Sequence, residues 1–406
     1  MRVSSHAPSI SHTEDGDTLV RQASTSKGYA VTALALTQFR NIAYMELAPG
    51  QSSVIITGPN GSGKTTILEA ISLLAPGRGL RGARLIEIDR QRPKSDGVMQ
   101  HTPWAVAAEV TWADALPVRI GTGRDPSKGE DRRAIRIDGI AQRGQTILDD
   151  FFAYTYLTPQ ISHVFLEGTT ARRAYLDRLV TLFHAEHPRH LAIYDHARSE
   201  RRRLLAQSRW DIHWLCTLEQ RLAEQAVAIA AARLDTLTLL EDAMREHESV
   251  FPQALLAVEG EVEQALAEGK KALAVEMEFL ERQEASRSED AQTGRMAYGP
   301  HRSDFRVQHA GKQMPAELCS TGEQKALLLA LTLSSARARQ RLKGIAPVLL
   351  LDEVVAHLDH THRRALFAEI LALGAQCWLT GTDPSLFSDF PEDASILTVV
   401  NGEVSG

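Results

Sequence analysis

At 406 residues the chain is long enough for about two or three domains of ordinary size. Its 43% hydrophobic and 24% charged content are those of a soluble globular protein, and no apolar run approaches the roughly 20 residues that span a bilayer, so no membrane partner is expected. A net charge of −6 excludes a globally basic nucleic-acid coat but leaves room for a local basic patch.

Residues 1–29 lack the apolar segment of a secretory leader and are rich in Ser, Thr, Asp and Gly, the composition of a disordered extension. The three cysteines (Cys216, Cys319, Cys377) are widely separated without metal-ligand spacing and suit a reducing, cytoplasmic setting. Further on, Val54, Ile55 and Ile56 read as a short buried strand. The loop Gly58-Pro59-Asn60-Gly61-Ser62-Gly63 follows, then Lys64, Thr65, Thr66 and a helix with apolar residues at Ile67, Leu68, Ile71 and Leu74. Strand, G-x-x-x-x-G-K-T and helix in that order make a P-loop. Its glycines let successive N–H groups turn inward around phosphates, Lys64 reaches the outer phosphates, and Thr65 offers a hydroxyl to Mg²⁺.

The middle of the chain reads as mostly helical. Tyr175, Leu179, Leu182 and Phe183 share one helical face; Leu215, Leu218, Leu222 and Ile229 run near a heptad rhythm, and Leu273, Met277 and Leu280 begin another. These stripes read as the core of a helical lobe or as a short antiparallel arm. Pro252 interrupts the lobe, and the stretch ALLAVEGEVE is compatible with a strand. Residues 160–210 carry nine arginines against five acids. Such a run is either a solvated helix face or a surface for DNA phosphates, with Arg201, Arg202 and Arg203 as candidates. Arg78 and Arg81, in a Gly-rich loop beyond the P-loop helix, are the alternative.

Near the C-terminus, Ser320, Thr321, Gly322 and Glu323 make a polar turn just before an apolar helical run. The turn serves equally as an ordinary helix cap or as an anion site at a helix N-terminus. Val348–Leu351 is a continuous apolar strand ending in Asp352 and Glu353. Asp352 suits Mg²⁺ and Glu353 can polarise an attacking water, with Lys64 on the phosphates. Together with the P-loop, these blocks resemble the ABC ATPases. Cys319-Ser320-Thr321-Gly322-Glu323 stands in the place of the signature, Asp359 in that of the D-loop aspartate, and Gln160 in that of the Q-loop glutamine that senses Mg²⁺ and water. In that superfamily the signature of one subunit caps the ATP held by the other.

More narrowly, the chain resembles the RecF family over about residues 30–406. The likeness is carried by FRNIAYMEL, by GRGLRGARLIEI after the P-loop helix, by TPQISHVFLEGTTARRAYLDRLV around Gln160, and by YGPHRSDF before the signature. The resemblance implies an ATP-dependent homodimer with weak ATPase activity that binds DNA at gaps and single-strand/double-strand junctions. It also implies partnership with RecR and RecO in loading RecA. Three departures stand out. The acidic pair is Asp352-Glu353 where many members carry two aspartates, the signature has Glu323 in place of Gln, and LTGTD offers Thr382 where transporters place a switch histidine.

Three classes compete: a DNA-binding ATP switch, an energising subunit of a membrane transporter, and a P-loop phosphotransferase. A transporter subunit carries its signature nearer the P-loop, and a phosphotransferase has no use for a signature turn. The expected fold is therefore α/β, an ABC-type P-loop ATPase head with an inserted, mostly helical second lobe. Residues 30–155 and 295–406 form the head and 156–294 the lobe, with ATP and Mg²⁺ as cofactors.

Overall fold

The computed structural model describes residues 28–93, 99–113, 115–128, 132–391, 393–400 and 402–405. All of the expected extension 1–29 except Gly28 and Tyr29 lies outside the described residues.

Two six-stranded sheets build the head. The first joins Ile42–Leu47, Tyr29–Phe39, Ala105–Trp112, Val118–Arg124, Arg133–Ile137 and Ile140–Ala141, in that order and antiparallel throughout. Alternation of buried and more exposed residues is clear over Leu34–Thr37 and Ala105–Val110, as a sheet with one covered face requires. The second runs Tyr154–Leu157, Val348–Leu351, Cys377–Gly381, Val54–Thr57 and Ser395–Val400 in parallel, with Glu403–Ser405 antiparallel at its edge. Here the central strands Val54–Thr57, Val348–Leu351 and Cys377–Gly381 are buried at every position, because both faces are covered. The P-loop helix α1 (Lys64–Ser72) touches one strand of each sheet, Tyr29–Phe39 and Cys377–Gly381. A single helical turn, α2 (Leu85–Ile88), follows in the loop beyond it. The order of the parallel strands sets the carboxyl ends of Val348–Leu351, Cys377–Gly381 and Val54–Thr57 side by side, the edge where such sheets hold phosphate ligands.

The middle of the chain folds as α3 (Thr169–Phe183), α4 (His187–Leu205), α5 (Ile212–Arg245), α6 (Glu261–Ala267) and α7 (Ala272–Thr293). After it come α8 (Thr321–Lys343) and α9 (His360–Leu373). ALLAVE forms a strand, Ala254–Glu259, as Pro252 allowed. At 1.5 Å per residue, the 34 residues of α5 reach about 50 Å. Its first half buries Leu215, Leu218, Leu222 and Ile229 in a lobe core with Tyr194, Leu204, Val275 and Phe279; its last turns place Leu237, Leu240 and Met244 in the core of the head. On α7 the buried face differs from the expected one. Leu273 and Met277 are exposed while Leu280 is half-buried against the lobe core, and Val275, Phe279 and Gln283 face inward, because that face carries the Phe279 ring and the groups that meet Arg201. The divisions expected at 155/156 and 294/295 are crossed by continuous structure. Tyr175, Leu176, Leu179 and Val180 of α3 join the head core, and Ala254–Glu259 pairs along its whole length with Asp304–His309.

Arg201 corrects the sequence reading. It is 2% exposed, and its guanidinium donates to Glu219 Oε1 at 3.0 Å, Asp290 Oδ2 at 2.6 Å and the Gln283 carbonyl at 2.8 Å. Consecutive helical residues are turned by about 100°, so three adjacent arginines cannot share one face. Ala197, Arg201, Leu204 and Leu205 face the lobe core, while Arg202 and Arg203 point to solvent, Arg203 paired with Glu200 at 2.7 Å. A second buried guanidinium, Arg233 of α5, binds Asp177 of α3, Glu263 of α6 and the Pro300 carbonyl. Among the other basic candidates, Arg81 pairs with Glu69 of α1 at 3.3 Å and Arg78 is exposed in the same loop.

Removing Arg201 takes the cation from buried Asp290, while Glu219 keeps Arg287, and breaking such a buried pair costs about 3–5 kcal/mol. Arg201→Ala should therefore lower the thermal midpoint sharply, whereas Arg203→Ala should stay within about 0.5 kcal/mol of the parent in denaturant titration. A pH effect arises at the turn Tyr298–Arg302. His301 receives the Tyr194 hydroxyl hydrogen bond at Nδ1 and donates from Nε2 to the Met296 carbonyl, both at 2.9 Å. Burial pushes its pKa down from 6.5 to about 4. Between those values the unfolded chain takes up a proton that the native imidazole refuses, so stability falls as pH falls through that window. Urea midpoints of wild type and His301→Asn should converge as pH drops from 7 to 5.

Candidate nucleotide site

The loop after Val54–Thr57 is shaped by backbone demands that glycine meets. Gly58 has φ 146°, and a Cβ there would lie 2.2 Å from the Val399 carbonyl. Gly63 enters α1 at φ 115°, in the left-handed region. The chain then presents the free N–H groups of the first turn of α1 along the loop, with Ser62 Oγ buried and without a hydrogen-bond partner. An orphaned hydroxyl beside an open helix N-terminus and a lysine is a donor set for phosphate oxygens.

Lys64 is 5% exposed. Its ammonium donates to the carbonyls of Gly58 at 2.8 Å and Pro59 at 3.1 Å and pairs with Glu353 Oε1 at 3.2 Å. Thr65 Oγ1 donates to Asp352 Oδ2 at 2.8 Å. The neighbouring Thr66 donates to Asn41 Oδ1 at 3.3 Å, fixing the helix start against the first sheet. Thr380 was not singled out in the sequence, yet it donates to Asp352 Oδ1 at 2.7 Å and accepts the Glu353 N–H at 3.0 Å. That second contact holds Glu353 at φ 54°, a strained conformation for a non-glycine residue, with its carboxylate toward Lys64. Strand register carried the missing signal: Leu351 is paired with Leu379, so the next residue of each strand, Asp352 and Thr380, lie side by side.

The structure therefore brings together Lys64, Thr65, Asp352, Glu353 and Thr380 at one sheet edge. A Mg²⁺ ion there would be held by the Thr65 hydroxyl and the Asp352 carboxylate and would neutralise phosphate charge. Gln160 lies exposed three residues beyond Leu157, whose carbonyl accepts the Asp352 N–H at 2.9 Å; Thr382 is exposed just past Cys377–Gly381.

The other sequence-predicted residues stand apart. Ser320 caps α8 in a two-way capping box with Glu323: the Glu323 carboxylate accepts the Ser320 N–H at 2.8 Å. Lys312 is the first cause, and Ser320 the second, that hold the Glu323 carboxyl down at about 2. Asp359 caps α9 by accepting the His362 N–H at 2.9 Å, and this bond lowers its pKa. The partners found for these caps are local, and no hydrogen bond or ion pair among the described residues links them to the P-loop.

Lys64→Ala removes the loop's one ammonium, and charge-assisted hydrogen bonds contribute about 1.5–3 kcal/mol. Nucleotide Kd in equilibrium titration should rise about 10–100-fold. Thr380→Val should cost up to about 3 kcal/mol in denaturant titration, since it takes one hydrogen bond from a buried carboxylate.

The family model described as the RecF/RecN/SMC N terminal domain matches residues 30–403. The DNA replication and repair protein RecF of Mesorhizobium japonicum is 41% identical over 378 residues, which is 92% of this chain and 97% of that protein. The RecF of Brucella suis is 40% identical over 380 residues, 93% of this chain and 96% of its own. A recombination mediator protein RecF of the RecFOR pathway, solved with ATP, superimposes with a TM-score of 0.78 over 95% of this chain and 99% of that one; at 23% identity this is a likeness of fold. With the P-loop, the acidic pair and the two-sheet head in place, the chain belongs to the RecF family.

Proposed function

We propose that the protein is an ATP-dependent DNA-binding switch of recombinational repair and replication restart. Two heads close over two ATP molecules, the dimer engages DNA at gaps, and it acts with RecR and RecO to help load RecA on single strands. Hydrolysis is slow and uses Mg²⁺ at Thr65 and Asp352, Glu353 as the group that polarises water, and Gln160 and Thr382 on closure.

One observation carries the reading. Ser320, Thr321 and Gly322 are exposed at the N-terminus of a 23-residue helix. A Cβ on Gly322 would meet nothing within 4 Å, and its φ is not positive. The subunit's own fold therefore does not require glycine there. A glycine that its own chain does not need suits the close approach of another body, and the phosphates of a nucleotide on a second subunit fit the exposed N–H groups. The Glu323 carboxylate is engaged with Lys312 and with the Ser320 N–H.

Sedimentation with and without ATP tests the switch. Ser320→Arg should bind nucleotide like the parent and fail to dimerise; normal ATP-induced dimers would rule out capping across subunits. Glu353→Gln keeps size and hydrogen bonding but cannot act as a base, so turnover should fall about 10²–10⁴-fold while the dimer persists longer. Unchanged turnover would shift that role to Gln160.

A further inference from the structure

A cavity of about 320 Å³ opens between the C-terminal half of α4 and the turn that follows α7. Helical spacing brings Arg198, Arg202 and Leu205 to its wall from α4, with the buried Arg201–Asp290 pair as its floor. The opposite wall is a turn that starts where Gly294 ends α7 at φ 65°. It carries Arg295 and Arg302 and is pinned by the His301 bonds to Tyr194 and Met296. Five arginines and two aspartates line the space. The aspartates are engaged, Asp195 with Arg198 and Asp290 with Arg201.

Several exposed arginines of α4 and α5 find a carboxylate three residues away, as Arg189 does with Glu186, Arg203 with Glu200 and Arg245 with Asp242. Arg202, Arg295 and Arg302 are exposed and make no ion pair among the described residues, although they come from two elements and meet around one concavity. Unpaired guanidinium groups above low-dielectric walls focus a positive potential. The same field reaches His301: after burial and the Met296 carbonyl, Arg198, Arg173 and Arg302 are the causes that act on its pKa, all three lowering it.

The geometry points to a backbone-phosphate subsite for nucleic acid in this cavity, with Arg202, Arg295 and Arg302 as the contacting groups and the Arg201–Asp290 pair as their rigid base. This assignment rests on the DNA-binding reading and gives it a place on the lobe. Guanidinium suits the task because its planar fork matches a phosphate's two free oxygens. Phosphate contacts contribute to affinity and orientation, not to sequence.

The test is fluorescence anisotropy of a short labelled duplex and a labelled gapped duplex on the full chain with ATP, across a salt series. Each lost phosphate contact flattens log K against log salt by about 0.9. Arg295→Gln/Arg302→Gln should weaken binding at moderate salt and flatten the slope by roughly one to two units. Arg202→Gln, on the helical wall, should do the same by about one unit. Arg189→Gln, at the other end of α4, should leave both quantities alone. Thermal melts establish that each variant is folded. If wild-type protein binds neither DNA, the functional reading falls and the subsite with it. If wild-type protein binds and the cavity variants match it in affinity and slope, or if Arg189→Gln weakens binding equally, the subsite alone is overturned. Inorganic phosphate that binds wild type but not the double variant, with DNA binding equal in both, would mark a free-anion site and also overturn it.

Discussion

The carboxylate of Asp352 ties the end of the strand Val348–Leu351 to the first turn of α1 through Thr65, and to the next strand through Thr380. At 3% exposure it would be costly to leave unpaired, so both hydroxyls are held to it. Thr380 in turn fixes the Glu353 backbone, and Glu353 holds one side of Lys64. A single buried charge thus sets the positions of Lys64, the Thr65 hydroxyl and the Glu353 carboxylate. Motion of any of these three elements would be felt by all of them.

The lobe follows the same logic with opposite charges. Arg201 and Arg233 are buried cations, each satisfied by carboxylates from other helices. Such pairs give little net stability against an apolar replacement, but each accepts only one arrangement of its partners. Arg233 gathers α3, α5, α6 and the turn before Asp304–His309, at the level where the lobe meets the head. Ser303 donates to Glu263 at 2.8 Å from that same turn. Because α5 has one half in each core, a displacement of the head has a stiff route to the lobe.

The candidate site residues divide into groups that the fold assembles and groups that it holds apart. Lys64, Thr65, Asp352 and Glu353 meet within one chain. Ser320 and Asp359 are finished locally as helix caps and face outward, with Gly322 exposed in the first turn beside Ser320. A cap that satisfies its own helix and still leaves N–H groups exposed can serve both stability and an incoming ligand, so the two readings of the STGE turn do not compete.

Much of the site was legible in the chain itself. Gly58-to-Thr66 and Val348-to-Glu353 announce themselves because a phosphate loop and a doubly covered strand constrain consecutive residues, and consecutive constraints leave linear motifs. The α5 stripe was legible for the same reason, since helical periodicity is local. What the linear chain could not decide were choices between faces and partners. Both apolar stripes of α7 were available, and the buried one is the stripe that meets α5. Arg201, Arg202 and Arg203 are equivalent as letters, and only the packing of α4 sends the first inward to Glu219 and Asp290 and leaves the second outside. Thr380 lies in the strand Cys377–Gly381 and Thr382 just past its end, yet only lateral register puts Thr380 against Asp352. Arg302 and Arg202 are separated by 100 positions and come to one cavity because Gly294 turns the chain back toward α4. Local sequence determined which elements form and where the phosphate-loop and acidic-pair motifs lie; tertiary packing decided which charges are buried and paired, since the cost of burying a charge depends on neighbours that lie far away in the chain.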